Sequence, residues 1–248
     1  TDFPWNMPVL FNGQEISGTE LGRSYLPVWF FISTPIFILA LTLAGLWFLP
    51  KKNPASFGSF LILVLVFHVL IYLVLKPNVY DGVRHYLFFE PILSILACLV
   101  FVELFQSGLK LKWFWVAVVG VNALWVGWQM TQLFPYEYTY FNETVGGLRG
   151  AAAKFETEYT GASYKEAVEW LESNEIKEPR KIYRINTEGS AFQSAHYFLP
   201  NMQWAYLKDA DYFIANTRWN RQAQVDPQKI IHVVEREGVP FTYVFKLR

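Results

Sequence analysis

The sequence is poor in the groups from which most catalytic and metal sites are assembled. One cysteine, Cys98, occurs in 248 residues, so neither an intrachain disulfide framework nor a cysteine-based zinc site can form. Its neighbours Leu96, Ala97, Leu99 and Val100 are apolar, which marks it as a small packing residue. The four histidines, His68, His85, His196 and His232, show no i,i+3 or i,i+4 pairing, so neither a metal site nor a cofactor is expected. Lys and Arg balance Asp and Glu at 21 each, and without a basic excess a nucleic-acid partner is excluded. Gly146, Gly147 and Gly150 lack the lysine and preceding strand of a phosphate loop and read as a flexible turn. The first twenty residues hold Pro4, Pro8, Gly13 and Gly18 with no basic stretch leading into an apolar one, so a signal peptide is not expected. No repeat or low-complexity tract is present.

Apolar and aromatic residues fill the space that these absences leave. The chain is 53% hydrophobic and contains 22 Phe, 14 Tyr and 10 Trp, too many for an ordinary soluble domain. Charge is also uneven: residues 1–134 hold seven basic and six acidic residues, whereas the shorter remainder holds 14 and 15. Two regions adapted to different solvents therefore share the chain.

Four stretches approach the twenty or so apolar residues that a helix needs to cross about 30 Å of hydrocarbon. They are about 25–49, 56–75, 86–106 and 113–134. The fold expected is thus a polytopic α-helical membrane protein with four transmembrane helices and a C-terminal extracytoplasmic α/β or α+β domain. Its divisions are an N-terminal segment (1–24), the helical domain (25–134) and the C-terminal domain (135–248). The short connections at 50–55 and 107–112 carry Lys51, Lys52, Lys110 and Lys112 and no acid. The positive-inside rule assigns them to the cytoplasm, leaving both polar ends of the chain outside. Phe134, Tyr136, Tyr138, Tyr140 and Phe141 then read as an aromatic belt where the fourth span meets the interface. Charges available to line a conduction path are confined to His68, Glu90 and Glu103, too few for a channel or transporter. His68 is either a functional intramembrane group or a neutral imidazole bonded to a carbonyl of a neighbouring helix. Asn142-Glu143-Thr144 fits a glycosylation sequon, a match frequent by chance.

In the C-terminal region Ser163 and Glu166 fit a capping box ahead of Tyr164, Ala167, Val168 and Leu171 at helical spacing, predicting a helix over about 163–174. Short β-branched or aromatic runs at 181–186, 210–216, 230–235 and 241–247 predict strands, with Glu237-Gly238-Val239-Pro240 turning the last two into a hairpin.

The richest stretch for chemistry is Tyr80-Asp81-Gly82-Val83-Arg84-His85, between the second and third spans. A guanidinium beside an imidazole at a membrane boundary offers several donors, and the planar Arg fork can take two phosphate oxygens at once. Tyr80, Asp81, Arg84 and His85 are therefore candidate lipid-phosphate-binding residues. The competing reading pairs Asp81 with Arg84 and treats the loop as a snorkelling anchor.

This loop runs into an aromatic helix with Pro91. It is followed by Phe134-Pro135-Tyr136-Glu137-Tyr138-x-Tyr140-Phe141-Asn142-Glu143-x-x-Gly146-Gly147 and by Glu156-x-Glu158-Tyr159 ahead of a Ser-Tyr-Lys-Glu-Ala helix. In that order these elements resemble the C-terminal part of bacterial integral-membrane glycosyltransferases of the GT-C class, the relatives of protein O-mannosyltransferases and aminoarabinose transferases. Ala210-Asp211-Tyr212-Phe213, Glu235–Phe241 and the opening Phe3-Pro4-Trp5 and Leu26-Pro27-Val28-Trp29 also look like that group. The resemblance implies sugar transfer from a polyprenyl-phosphate-linked donor on the outer face of a bacterial inner membrane, by enzymes with roughly a dozen spans. It implies membrane lipids and other membrane subunits as partners. The family's catalytic carboxylate lies in an earlier outer loop, and Asp2, Glu15 and Glu20 do not take its place. The chain is expected to be the C-terminal section of such an enzyme or a short relative; the alternative is a catalytically silent four-span subunit of a larger complex.

Overall fold

A computed structural model describes residues 6–106, 112–188 and 194–248; Asp2, Phe3-Pro4-Trp5 and Lys110 lie outside the described residues. The chain forms two compact units, one comprising residues 1–134 and 140–155, the other residues 135–139 and 156–248.

The first unit opens with a hairpin, β1 (Pro8–Phe11) and β2 (Gln14–Ser17), paired antiparallel. Its turn is Asn12-Gly13, both at positive φ (53° and 79°), the backbone that a two-residue hairpin matched to strand twist demands. Helices follow: α1 (Tyr25–Ser33), α2 (Ile36–Lys52), α3 (Phe57–Leu75), α4 (Phe89–Gln106) and α5 (Lys112–Leu133). Three of these, α3, α4 and α5, are individually long and apolar enough to cross a membrane, and the α1–α2 pair makes up to four.

That pair is not the single straight span expected over 25–49. Pro35 has no N–H and pushes Thr34 into an extended conformation (φ −90°, ψ 136°), and α1 turns 119° away from α2. The break exposes the last carbonyls of α1, and Asn142 answers them. Its Nδ2 donates to Phe31 O (2.6 Å) and Thr34 O (2.8 Å), and its backbone N–H donates to Ile32 O (2.7 Å). Asn142 is wholly buried, so the sequon is closed to modification in the folded chain.

Helices α2 and α4 run parallel in tight register. Thr42 Oγ1 donates to Leu93 O (2.9 Å), Lys52 pairs with Glu103, and Thr34 Oγ1 donates to Glu90 (3.1 Å). A side chain on Gly45 would come 2.9 Å from Val100 Cγ2, so the missing Cβ sets the helix separation, as small residues do in membrane bundles. Both acids of the third span are thus engaged by neighbouring side chains. His68 donates from Nδ1 to Val64 O of its own helix at 2.8 Å, a correction to the expected bond to a neighbouring helix; the i−4 carbonyl is simply within reach. Cys98 is exposed on α4 rather than packed inside, because its position falls on the face turned away from α2.

The expectation for 134–141 is corrected in part. Tyr140 and Phe141 are buried at 6% and 3% exposure and Tyr136 at 2%, so these three rings belong to protein interiors and not to a belt, whereas Phe134 and Tyr138 are exposed. Within the first unit, Phe141 joins Trp29 and Phe155 (centroids 5.6 and 6.3 Å apart from it), and Phe11 and Tyr25 close the cluster. Helix α6 (Gly147–Ala151) returns against the turn before it. A side chain on Gly150 would fall 1.9 Å from Val145 O, an approach only glycine permits.

The second unit is a mixed five-stranded sheet, order β4-β3-β5-β7-β6, built from β3 (Tyr183–Thr187), β4 (Met202–Trp204), β5 (Tyr212–Asn216), β6 (Ile230–Arg236) and β7 (Val239–Lys246). β3 runs parallel to β4 and β5, while β7 is antiparallel to β5 and β6. All five residues of β5 are buried, as a central strand covered on both faces must be. Helix α7 (Ser163–Asn174) lies on one face through Tyr164, Ala167, Val168 and Leu171. Its bounds match the expectation, but the capping box does not form: the Ser163 hydroxyl bonds to Glu158 and Thr242, and Glu166 is taken by Arg236 and the Tyr136 hydroxyl.

Candidate functional site

The loop singled out in the sequence is a shaped element of the first unit. Asp81 and Gly82 both adopt positive φ (58° and 64°), which reverses the chain within two residues. The Gly82 N–H donates to the Tyr25 hydroxyl (2.9 Å), and any Cβ on Gly82 would press on the Trp29 ring at 3.2 Å. Asp81 is 2% exposed and accepts from Arg84 Nη1 at 2.7 Å, whereas the Arg84 side chain is 59% exposed. A buried carboxylate therefore aims an exposed guanidinium, leaving the Nη2 and Nε donors pointing away from that contact. Residues 84–86 form one 3₁₀ turn ahead of α4, and the Tyr80 ring meets the His85 ring edge-on at 4.8 Å. Burial first, then the Arg84 charge, hold His85 below the ordinary histidine value, with Asp81 pulling the other way. All four candidate residues are thus brought into one turn, with Asp81 buried against the exposed Arg84.

In the second unit polar side chains, Glu158 and Glu188 among them, gather near the carboxyl ends of the parallel strands β3 and β5. Open sheets place ligand crevices at such ends. Two glutamates there are in opposite circumstances. Glu158 is 1% exposed and saturated. Its Oε1 accepts from the Tyr138 hydroxyl (2.6 Å), Thr160 N (2.9 Å), Thr160 Oγ1 (2.8 Å) and Gly161 N (2.8 Å), and its Oε2 from the Ser163 hydroxyl (2.8 Å) and Asn216 Nδ2 (3.3 Å). Burial and that carboxylate together raise Tyr138 far above the usual phenol value. Glu158 ties three segments of the unit together, and its motif was visible in the sequence.

Glu188, just after β3, has a wholly buried side chain whose two oxygens receive no hydrogen bond from the described residues. Its nearest charge is Arg221 Nε at 3.7 Å, on a side chain 52% exposed, beyond hydrogen-bonding range. Burial pushes the Glu188 carboxyl up to about 7, opposed only by that Arg221 charge. On the loop after β5, Trp219 Nε1 and Gln222 Oε1 are also buried without a partner. No pattern announces Glu188, one acid just after β3. Among the described residues no group of three His, Cys, Asp or Glu side chains could hold a metal ion.

Neither a family model, nor a curated protein, nor a solved structure matches the chain.

Proposed function

We propose that this chain is the C-terminal section of a GT-C-like glycosyltransferase of a bacterial inner membrane, and that Arg84 and His85 face the phosphate of a polyprenyl-phosphate-linked sugar donor at the outer surface. The observation that carries the reading is the Asp81–Arg84 arrangement. A carboxylate at 2% exposure orients a guanidinium at 59% exposure on a turn clamped by Tyr25 and Trp29. Fixing an exposed cation in this way lowers the entropy lost when an anion binds. During transfer the same guanidinium stabilises the charge that develops on the departing lipid phosphate. His85, neutral near pH 7, donates one hydrogen bond and gains charge as pH falls.

A second reading draws on the same ion pair. If Asp81 exhausts the useful charge of Arg84, the loop is an anchor and the chain a catalytically silent four-span subunit of a larger complex. Polyprenyl-phosphate binding to the full chain in lipid nanodiscs separates the two. Arg84→Lys retains charge but cannot present a planar fork, and weakens binding by about 1–3 kcal/mol under the first reading. Asp81→Asn, which frees the guanidinium, weakens it less. Equal affinity of Arg84→Lys and the unsubstituted protein, or no binding to either, leaves the subunit reading in place.

A further inference from the structure

We infer that the second unit carries a docking surface for an anionic lipid bilayer, where the segment after β4 meets the start of β6 and the end of β7. Lys208, Lys229 and Arg248 meet lipid phosphates there, while Trp204, Tyr206 and Leu207 enter the headgroup layer. The surface lies in the second unit alone, and the inference stands independently of the donor-phosphate reading.

Charge is unbalanced at this place. A cavity of about 340 Å³ is lined by three cations, Lys208, Lys229 and Arg248, and one acid, Asp226. The cations come from separate segments: Lys208 from the 3₁₀ turn Leu207–Asp209, Lys229 from just before β6 and Arg248 from just past β7. The Lys229 ammonium donates to Leu247 O (3.1 Å) and Arg248 Nη2 to Lys208 O (2.6 Å), so carbonyls hold both at the cavity without cancelling their charge. Asp226 is engaged in its own loop, where its Oδ1 accepts from Gln228 N (2.9 Å). The floor is firm, because Val225 and Leu247 pack against the buried Phe213, Ala215 and Phe245.

An apolar rim adjoins these charges. Trp204, Tyr206 and Leu207 are 36%, 68% and 38% exposed, and the Trp204 and Tyr206 rings meet edge-on with centroids 5.1 Å apart. Leu207 lines the cavity beside Lys208, so cations and rim share one surface. Each of the two rings joins an apolar body to a hydrogen-bonding tip, the character favoured in the headgroup layer of a bilayer. Lysine and arginine beside such rings complement an anionic leaflet, whose attraction multiplies the docking equilibrium about fivefold per cation. A small free anion would use the cations and leave the three apolar side chains in water. An acidic protein could use both. The other unit, however, carries helices long and apolar enough to cross a membrane, so a bilayer is joined to this surface through the chain itself and needs only weak contacts to hold it.

The test uses the full chain in nanodiscs of phosphatidylcholine, with or without phosphatidylglycerol. The photo-crosslinking residue p-benzoylphenylalanine replaces Tyr206, keeping an aromatic side chain, or replaces Glu172, exposed on α7, as the reference. Intact-mass spectrometry then reads the lipid adduct. A phospholipid adduct is expected at 206 and not at 172, about fivefold or more abundant when phosphatidylglycerol is present. Lys208→Gln and Lys229→Gln should each lower it about fivefold and the two together about 25-fold, whereas Lys229→Arg, which keeps the charge, should retain it. Both lysines are exposed, so Tm should not change. An adduct at 206 no greater than that at 172 overturns the inference, as does one that is equal in the two lipid compositions or indifferent to both lysine substitutions. A protein–protein adduct in place of the lipid one also overturns it, because it assigns the surface to a protein partner.

Discussion

Replacing Glu188 with Gln should stabilise the protein, and only above mild acidity. The carboxyl titrates at 4.5 in an unperturbed chain and is raised to about 7 where it is buried. Between those values the folded state holds a proton that the unfolded state has released, so stability falls as pH rises from about 4.5 to 7 and stays low beyond. A displacement of that size, at about 1.4 kcal/mol per pH unit, corresponds to about 3 kcal/mol for the charged form. Glutamine keeps the shape and cannot ionise. Its advantage should be near zero at pH 4.5 and approach about 3 kcal/mol at pH 8. Loss of the Arg221 partner subtracts little, because that guanidinium is half exposed and such pairs are worth about 0–1 kcal/mol. The measurement is denaturant-dependent hydrogen exchange at the β3 and β5 amides of the full chain in nanodiscs, at pH 5 and pH 8, corrected for intrinsic exchange rates. A Glu188→Gln protein that is less stable than the unsubstituted one at pH 8, or a difference that does not grow with pH, would refute the account. Either result would mean that Glu188 is effectively compensated.

Asn142→Asp replaces two buried donors facing Phe31 O and Thr34 O with an acceptor, and should cost about 3 kcal/mol or more; a fall in Tm of the nanodisc-embedded protein of less than a degree or two would argue that Asn142 does not hold the helix break. Gly150→Ala should abolish stable folding because its Cβ would meet a backbone oxygen at 1.9 Å, whereas Gly127→Ala, with nothing within 4 Å, should be neutral or slightly stabilising; equal expression and Tm for the two would contradict the geometry. Lipid-phosphate binding should strengthen as pH falls below the ordinary histidine range, because burial and the Arg84 charge hold His85 below its ordinary value and it gains charge only there; an effect that survives His85→Gln assigns the pH dependence elsewhere.

Legibility in the sequence followed the kind of force at work. Helix α7 was readable to the residue because burial of Tyr164, Ala167, Val168 and Leu171 is a periodic signal. Strands β3, β5, β6 and β7 were readable within one or two residues for the same reason. The β1–β2 hairpin carried its Asn12-Gly13 turn in plain view, yet four-residue strands offer too little alternation to draw attention. β4 has three residues and no pattern; it exists because β3 has an open edge to pair with. Within the aromatic run at 134–141, Tyr136, Tyr140 and Phe141 mislead for a deeper reason. A membrane interface and a protein interior both favour a ring with one hydrogen-bonding tip, so composition alone cannot separate Tyr136 bonded to Glu166 from a tyrosine among lipid headgroups. The candidate sites divide along the same line. Arg84 and His85 are adjacent in the chain and stand out by type, whereas Lys208, Lys229 and Arg248 are ordinary cations on three separate segments, and only the fold brings them to one cavity.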